Sequence, residues 1–425
     1  MWKNCVEFYF MKKKIRITYR HFQIVAMIAL AVFLIIEARR QCDFNIFFTA
    51  GKDILVGENL YTKIYQGWLH YYYSPFFALL LSPFTFVSEY VITLLWLVLN
   101  VYFFYRVWEI LSDWLELNLL PISTQRWFFW GSVFLCVQGI RDNLHYHQIT
   151  IMMIYLTLQG LDLILKKKEW QGGALIALGI NIKILPIVFF PYLIYRGYWK
   201  GALSVVLVWI FLLYLPAAFI GWEYNSFLLS EWWSGINPSQ KENVLDWSRA
   251  GFGSLVTALF HSQKGETRPI FLTQLSMENI ALVTNGLRLF LAVFTLYFLR
   301  TLPFQKAKNN LHRLWEVGYL FLVIPFLFPH QQNYAYFFIY PAVVYLMYFF
   351  YGKIKIRGSF RLLELKDKIL IGILGVSYLM MSAELFLGEF RTFYIDIRLM
   401  TWAAILVLIV YSKVVVCFSR PKKRD

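Results

Sequence analysis

The chain has 425 residues, of which 59% are apolar, 20% aromatic and only 16% charged, and its formal net charge is +16. Soluble domains carry about 25% charged residues, so this composition excludes a water-soluble globule of this size, and the chain is also too apolar for disorder. The four cysteines are scattered without a CxxC pair, which indicates neither a zinc ribbon nor a disulfide scaffold. The composition is that of an integral membrane protein.

Apolar segments long enough to cross a membrane recur along the chain. A spanning helix needs about 20 mostly apolar residues, and the segments that we predict to span are 21–38, 89–108, 127–141, 148–166, 201–220, 277–299, 314–329, 333–351, 368–387 and 395–417. Segment 75–86 contains two prolines and is predicted to enter only partly. Segment 172–196 is broken by Lys183 and Pro186 into two short helices that enter and leave on the same side. The predicted fold class is an all-α polytopic membrane protein, one domain over residues 1–425 with about 10–12 transmembrane helices.

The basic residues predict the orientation of these helices, because lysine and arginine in short loops stay on the cytoplasmic side. The groups that fall on one side when the spans alternate are Lys12–Lys14 with Arg16 and Arg20, Lys166–Lys168, Arg196 with Lys200, Arg300–Arg313, Lys353–Lys368 and Arg420–Arg424. We therefore expect a multi-pass protein of the cytoplasmic membrane with both termini in the cytoplasm. Two large loops then lie outside, at about 39–74 and 222–276. Solvated anchors beside membrane lipids account for the positive charge, so no nucleic-acid partner is predicted.

The first outer loop is predicted to contain an amphipathic helix at the membrane interface. Phe44, Phe47 and Phe48 begin an apolar pattern at helical spacing, and Gly57 stands where a helix C-cap would be. Asp43 lies just ahead of this helix. It is either an N-cap residue or a functional carboxylate, and the spacing does not decide between the two.

Polar residues collect at the outer ends of the predicted spans. They come from four distant places in the chain, namely Asp43, the run Arg141–Gln148, the segment Trp232–Arg249 and the turn Pro329–Asn333. Polar and ionisable residues at membrane depth cost several kcal/mol and are usually functional. We therefore predict an active-site cavity that opens away from the cytoplasm.

Three cations in these regions are candidates for holding a phosphate. Arg141 and Arg249 are favoured because a planar guanidinium suits phosphate oxygens. Each has an acid close in sequence, Asp142 or Asp246, so a structural ion pair is the alternative. Lys183 must face protein, water or a lipid phosphate, and the ends of the two half-helices could also hold it without any substrate.

Several histidines and amides are candidates for contact with sugar hydroxyls or phosphate. They are Asn143, His145, His147, Gln148, His330, Gln331 and Gln332. The alternative is that they cap neighbouring helix ends. Residues at positions i and i+2 diverge on a helix, as His145 and His147 would, and no fourth ligand is evident, so no metal site is predicted.

Four patterns occur in a fixed order along roughly residues 20–350. They are Asp43-x3-Phe47-x2-Ala50-Gly51-x5-Gly57-x3-Tyr61 followed by Tyr73-Ser74-Pro75-Phe76, the turn His147-Gln148, the stretch from Gly172-Gly173 to Lys183 and Pro186, and the turn Pro329-His330. Together they resemble glycosyltransferase family 87 of the GT-C superfamily, typified by polyprenyl-phosphate-mannose-dependent mannosyltransferases. Family members commonly have Gly-Gln-x-Asn where this chain has His147-Gln148-Ile149-Thr150, and often Pro-x-Ser-Trp-x-His where it has Pro329-His330-Gln331-Gln332-Asn333-Tyr334.

The resemblance implies a GT-C-type bundle that transfers a hexose, mannose in typical members, from a polyprenyl phosphate to a hydroxyl of a glycolipid or glycan acceptor. It implies inversion at the anomeric carbon and places the family's catalytic aspartate on Asp43, as general base. A lipid phosphate is already a good leaving group, so no nucleotide-binding unit is needed. The sequence has no G-x-G-x-x-G or DxD motif, and we expect no cofactor.

Two other functions are compatible with a multi-pass membrane protein. A transporter or flippase for a lipid-linked saccharide predicts duplicated halves and ionisable residues at the bilayer midplane, and only Lys183 fits that pattern. A glycan polymerase or ligase has a similar topology and needs an acceptor glycan. The collection of polar residues at one rim favours the glycosyltransferase.

Overall fold

The computed structural model describes residues 6–10, 13–17, 19–67, 69–237, 243–262, 269–299, 302–307 and 309–414. The predicted basic residues Lys12, Arg300 and Arg420–Arg424 lie outside these ranges, as do residues 238–242 and 263–268 of the second predicted outer loop. Near its start the chain forms an antiparallel hairpin of β1, Val6–Phe10, and β2, Lys13–Ile17, in which Val6 pairs with Ile17. The other regular elements within the described ranges are helices.

Nineteen α-helices lie within the described ranges. In chain order they are α1 Tyr19–Glu37, α2 Asp43–Asp53, α3 Pro75–Leu81, α4 Glu89–Trp114, α5 Ile122–Leu135, α6 Val137–His145, α7 Thr150–Leu165, α8 Glu169–Ile182, α9 Phe189–Tyr195, α10 Trp199–Tyr214, α11 Ala217–Ile220, α12 Trp222–Ile236, α13 Gly251–Phe260, α14 Met277–Leu299, α15 Asn310–Leu327, α16 Tyr340–Arg357, α17 Leu365–Ser382, α18 Arg391–Asp396 and α19 Leu399–Lys413. Short 3₁₀ segments extend several of them, including Ser82–Phe86, Leu185–Val188, Asn333–Ile339 and Ala383–Leu385.

The chain is an all-α polytopic membrane protein, as the composition predicts. Five helical segments among the described residues are long and apolar enough to cross a membrane, namely Tyr19–Glu37, Glu89–Trp114, Trp199–Ile220, Met277–Leu299 and Asn333–Arg357. Two bent pairs add up to two more spans. This length criterion finds fewer spans than the apolar segments predicted, because several of those segments form shorter or interrupted helices.

Breaks in the helices account for most of the differences from the predicted spans. The predicted span 127–141 is divided at Cys136 into α5 and α6, and α6 meets α7 at an angle of 113°. That bend places a tight turn, residues 146–149, where two nearly continuous spans were expected. The turn carries His147 and Gln148, so its geometry matters for the site described below.

The segment 172–196 is broken where the sequence predicts. Helix α8 ends at Ile182, Lys183 has an extended backbone, and a 3₁₀ turn leads into α9. Glycines bring the neighbouring helices close: a Cβ atom on Gly173 would lie 2.3 Å from the carbonyl oxygen of Gly201. Because Gly173 and Gly201 lie in the first turns of α8 and α10, the α8–α9 pair begins and ends at the same end of the bundle.

The helix of the first predicted outer loop, α2, is more buried than an interfacial helix. Phe44, Phe47 and Phe48 are each at most 1% exposed, and a Cβ atom on Gly51 would lie 3.2 Å from the Ala78 carbonyl oxygen on α3. The predicted C-cap is confirmed, since Gly57 has a φ of +80° after the 3₁₀ turn that extends α2. The apolar face of helix α2 is therefore packed inside the bundle, close to α3.

One predicted basic anchor has a different role. Arg196 is completely buried and forms a bidentate ion pair with Glu316 of α15, in which its Nε donates to Oε2 at 3.0 Å. Its Nη1 donates to the Gln305 carbonyl oxygen at 2.7 Å, and the Tyr192 hydroxyl donates to Glu316 at 2.9 Å. Arg196 thus joins α9 to α15, rather than lying against lipid.

Replacing Gly173 by valine is expected to destabilise the bundle by about 1–3 kcal/mol, because the new side chain overpacks the α8–α10 contact. The thermal unfolding midpoint of the purified protein in detergent measures this. Gly372→Val on α17 is the matched control, since nothing lies within 4 Å of its Cβ position. Equal unfolding midpoints for the two variants would contradict the close packing described.

Candidate functional site

A cavity of about 720 Å³ brings together the chain segments that the sequence singles out. Its walls come from α2, the 70–73 segment, the α6–α7 region, the break after α8, the 245–249 segment and the turn before the 3₁₀ segment at Asn333. The polar and charged lining residues are Asp43, His70, Tyr72, Tyr73, Asp142, Tyr146, Lys183, Ser248, Arg249, His330, Gln331, Gln332, Asn333, Tyr334, Glu384 and Arg391. The described segments that were predicted to converge therefore do so.

Asp43 lies on the cavity wall as the first residue of α2. The N-cap position belongs to Cys42, whose backbone N–H donates to the Asn45 side chain at 2.7 Å. The prediction that Asp43 precedes the helix as a possible cap is thus wrong by one residue, and its carboxylate is left free for other partners. The Gln148 amide donates a hydrogen bond to it.

Burial raises the pKa of the Asp43 carboxyl to about 6, against the opposing effects of the Gln148 hydrogen bond and the positive charge of Lys183. A carboxyl with this pKa is a stronger base than an exposed aspartate, yet it is mostly ionised at neutral pH. Such a group suits proton abstraction near pH 7.

The turn between α6 and α7 positions Gln148. His147 has a φ of +53°, an uncommon conformation for a residue with a side chain, and its ring Nε2 lies 3.1 Å from the Glu37 carbonyl oxygen. His145 Nδ1 lies 3.0 Å from the Glu37 carboxylate, and the Trp96 indole donates to the His147 carbonyl oxygen at 3.1 Å. These contacts fasten the turn to the end of α1, directly before the segment that carries Asp43.

Two predicted cations line the same cavity as Asp43. Lys183 lies in the break after α8, with its Nζ 5.4 Å from the centre of the Tyr73 ring, and it interacts electrostatically with both Asp43 and His330. Arg249 also lines the cavity, and among the described residues no carboxylate lies within ion-pair distance of it. These positive groups have no strong ion pair in the described part of the chain.

His330 is held in one orientation by two neighbours. Its ring stacks on Tyr72 with centroids 5.0 Å apart, and its Nε2 lies 3.0 Å from the Asn243 side-chain oxygen. It also has a positive φ, +57°. Burial lowers the pKa of His330 below its usual value, so the ring is mainly neutral at pH 7. Its Nε2–H then donates to the Asn243 oxygen, and Nδ1 is left as a hydrogen-bond acceptor.

Of the eleven residues that the sequence nominates, six line the cavity and five do not. The six are Asp43, Lys183, Arg249, His330, Gln331 and Gln332; the five are Arg141, Asn143, His145, His147 and Gln148. Arg141 is paired with Asp142 at 3.1 Å and is largely exposed. Asn143 donates to the Gly139 and Tyr334 carbonyl oxygens at 2.8 and 3.1 Å. These contacts make the five residues supports of the wall.

Four other charged residues belong to the site but were not nominated from the sequence. Asp142, Glu384 and Arg391 line the cavity. Arg288 lies inside α14, interacts electrostatically with Asp246 and His330, and has a buried Nε without a hydrogen-bond partner among the described residues. A lone arginine inside an apolar span is a signal that could have found Arg288.

No group of three His, Cys, Asp or Glu side chains that could hold a metal ion occurs among the described residues. The cavity instead combines the Asp43 carboxylate, whose basicity burial raises, with lysine, arginine and histidine side chains. Chemically, this arrangement can take a proton from a hydroxyl and stabilise an anionic leaving group.

A family model for glycosyltransferase family 87 matches residues 71–327, more than half of the chain. The chain belongs to this family. The matched part contains Lys183 and Arg249, whereas Asp43 precedes it and His330 follows it. The predicted family is therefore confirmed.

Two curated relatives are similar to parts of the chain. One is a polyprenol-phosphate-mannose-dependent alpha-(1-2)-phosphatidylinositol mannoside mannosyltransferase of Mycobacterium tuberculosis, 27% identical over 181 residues, which cover 39% of this chain and 42% of the relative. The other is an alpha-(1->3)-arabinofuranosyltransferase of Corynebacterium glutamicum, 23% identical over 153 residues, 35% of this chain and 36% of the relative. The chain thus spans less than half of each relative's length. No solved structure matches the chain.

Proposed function

We propose that the protein transfers a hexose, mannose in the first instance, from a polyprenyl-phosphate donor to a hydroxyl of a glycolipid or glycan acceptor. The observation that carries this proposal is the placement of Asp43, with raised basicity, in the same cavity as Lys183, Arg249 and His330. The donor class is supported by the mycobacterial relative, whose name specifies polyprenol-phosphate mannose.

The reaction is a single displacement. The acceptor hydroxyl oxygen attacks the anomeric carbon while Asp43 takes its proton, and the bond from that carbon to the phosphate oxygen breaks. The electron pair leaves with the polyprenyl phosphate, and attack from the opposite face inverts the anomeric configuration. Positioned proton transfer of this kind contributes roughly 10²–10⁴-fold to the rate.

The departing phosphate gains a negative charge that needs stabilising. Lys183 and Arg249 are the cations that line the cavity without an ion pair among the described residues. Charge-assisted hydrogen bonds from such groups are about twice as strong as neutral ones. Gln148 and His147 act indirectly, by holding Asp43 and the turn behind it.

The membrane supplies the donor's lipid and fixes the side of the reaction. We propose that the cavity opens to the extracytoplasmic face of the cytoplasmic membrane, with both termini in the cytoplasm. The basic residues at the opposite ends of the helices support this orientation. Family membership favours this enzymatic function over the transporter considered from the sequence.

Asp43→Asn is expected to lower transfer from polyprenyl-phosphate mannose by at least about 100-fold, because the amide cannot accept the proton. Transfer of radiolabelled mannose to candidate glycolipid and glycan acceptors measures it. Glu58→Gln, an exposed residue of the same loop, is the matched control and should keep normal activity. If the Asp43→Asn protein showed normal expression and normal transfer, Asp43 would be excluded as the base.

The rate of transfer is expected to fall as the pH drops below about 6 and to be level above it, because the pKa of Asp43 is raised to about 6 and only the carboxylate accepts a proton. Gln148→Leu removes a hydrogen bond that stabilises the carboxylate, so it should move the midpoint of this fall to higher pH. The measurement is kcat/KM against pH for both proteins. A midpoint that stays in place, or moves to lower pH, would argue against this assignment.

Lys183→Met is expected to raise the donor KM by roughly tenfold or more, since it removes a charge-assisted contact with the phosphate. The acceptor KM should change much less. Lys200→Met, at an exposed position on α10, is the control with the same change of side chain. If Lys183→Met weakened only the acceptor, or neither substrate, the phosphate site would have to lie elsewhere.

A further inference from the structure

The cavity has a second polar side, distant in sequence from the cations. Asp142 of α6 and Glu384, in the 3₁₀ turn after α17, both line it, together with Tyr146, Asn333 and Arg391. Asp142 interacts electrostatically with Glu384, Arg141 and Arg391, whereas Lys183 acts on Asp43 and His330. The cavity therefore has one side of unpaired cations and another built around two carboxylates.

Hydrogen bonds hold the two carboxylates in place. Asn333 donates to Glu384 Oε2 and the Arg391 Nε donates to Oε1, both at 2.8 Å. Asp142 receives a hydrogen bond from Gln138 at 2.9 Å and one from Arg141 at 3.1 Å. A carboxylate has about four lone-pair sites, and these contacts use about half of them. Each carboxylate can therefore accept further hydrogen bonds from a ligand.

An independent observation points to a ligand that donates hydrogen bonds. Gln331 lines the same cavity with only 2% of its surface exposed, and its amide donates to the Pro329 carbonyl oxygen at 2.7 Å. Its Oε1 is buried without a hydrogen-bond partner among the described residues. A buried acceptor without a partner is unfavourable, and a hydroxyl of a bound ligand would satisfy it.

A hydroxyl-rich ring meets these requirements, whereas a phosphate does not. Sugar and cyclic polyol hydroxyls donate to carboxylate and amide oxygens, and a phosphate would be repelled by the two acids. The acceptor also has to come close to Asp43. Gln148 links the two sides, since its amide donates to Asp43 and lies 3.4 Å from the Tyr146 carbonyl oxygen.

We propose that Asp142, Glu384 and Gln331 form the binding site for the hydroxyl-rich headgroup of the acceptor, with Arg391 and Asn333 fixing the orientation of Glu384. This proposal rests on the proposed transferase function and adds the acceptor side to it. Glu384 and Arg391 lie beyond the part of the chain that matches the family model. The segment after α17 therefore contributes to acceptor recognition, together with Asp142 of α6. The headgroup is the same whether a lipid or a free glycan carries it.

The experiment compares Glu384→Gln with the wild type, using polyprenyl-phosphate mannose as donor and two acceptors, a phosphatidylinositol mannoside and its deacylated headgroup. The variant is expected to raise the acceptor KM by roughly tenfold while the donor KM stays within about twofold, because one charged hydrogen-bond acceptor is lost. Glu389→Gln is the matched control, an exposed glutamate five residues along the same segment. A rise of similar size with both acceptors would support the headgroup site, and a lower wild-type KM for the lipid-linked acceptor would identify that form as the substrate.

Since Glu384 also contacts Asn333 and Arg391, a second variant keeps the test independent of local folding. Gln331→Leu leaves that ion pair intact and should likewise raise the acceptor KM. An unchanged acceptor KM for both variants, in both acceptor forms, would overturn the proposal while leaving the transferase function standing.

A binding measurement without the donor separates the two proposals. Addition of the deacylated headgroup should raise the unfolding temperature of the wild type and of Glu389→Gln, but not that of Glu384→Gln. If the headgroup stabilises the wild type in this way and no mannose is transferred, the donor assignment fails and the headgroup site remains. If it stabilises Glu384→Gln as much as the wild type, the site is wrong.

Discussion

The ionised carboxylate of Asp43, at the rim of a largely apolar bundle, is the feature on which the site depends. Removing a carboxylate from water favours its neutral form, and here the Gln148 hydrogen bond and the Lys183 charge oppose that tendency. Gln148 can only do so because the sharp turn before α7 is fastened to Glu37 at the end of α1. The geometry of one acid thus rests on contacts between residues more than 100 positions apart.

The break after α8 also helps to keep Asp43 ionised, because it brings the positive charge of Lys183 into the cavity. An uninterrupted helix would bury Lys183 among neighbouring helices or present it to lipid, whereas an extended residue at a helix end can line a cavity. The break is supported locally, since Ser74 donates to the Asn181 side chain at 2.9 Å and glycines allow α8 to pack closely on α7 and α10. A helix interrupted in this way is tolerated because protein and cavity surround it, rather than lipid.

Much of the fold and part of the site could be predicted from the sequence, for identifiable reasons. Long apolar segments indicate membrane helices, and a lysine or a proline within one indicates a break, so the fold class and the position of Lys183 followed directly. The bend before α7 could not be found in this way, because it depends on contacts of His145 and His147 with a distant helix. For the same reason the buried role of Arg196 was missed: its partner Glu316 lies 120 residues away.

The carboxylate side of the cavity could not be predicted from the sequence, because the residues around Asp142 and Glu384 in the chain do not distinguish these two acids from other charged residues near helix ends. Glu384 and Arg391 follow an apolar span, where charged residues are expected at the membrane surface. Only the tertiary structure brings Glu384 to Asp142 and to Asn333, beside the turn that carries Tyr146. Asp43 interacts with both sides of the cavity. Lys183, on the cation side, acts on it electrostatically, and Gln148 donates hydrogen bonds both to Asp43 and to the Tyr146 carbonyl oxygen on the carboxylate side. In the proposed reaction, a base in that position would meet an acceptor hydroxyl and a phosphate-linked sugar at once, as single-displacement transfer requires.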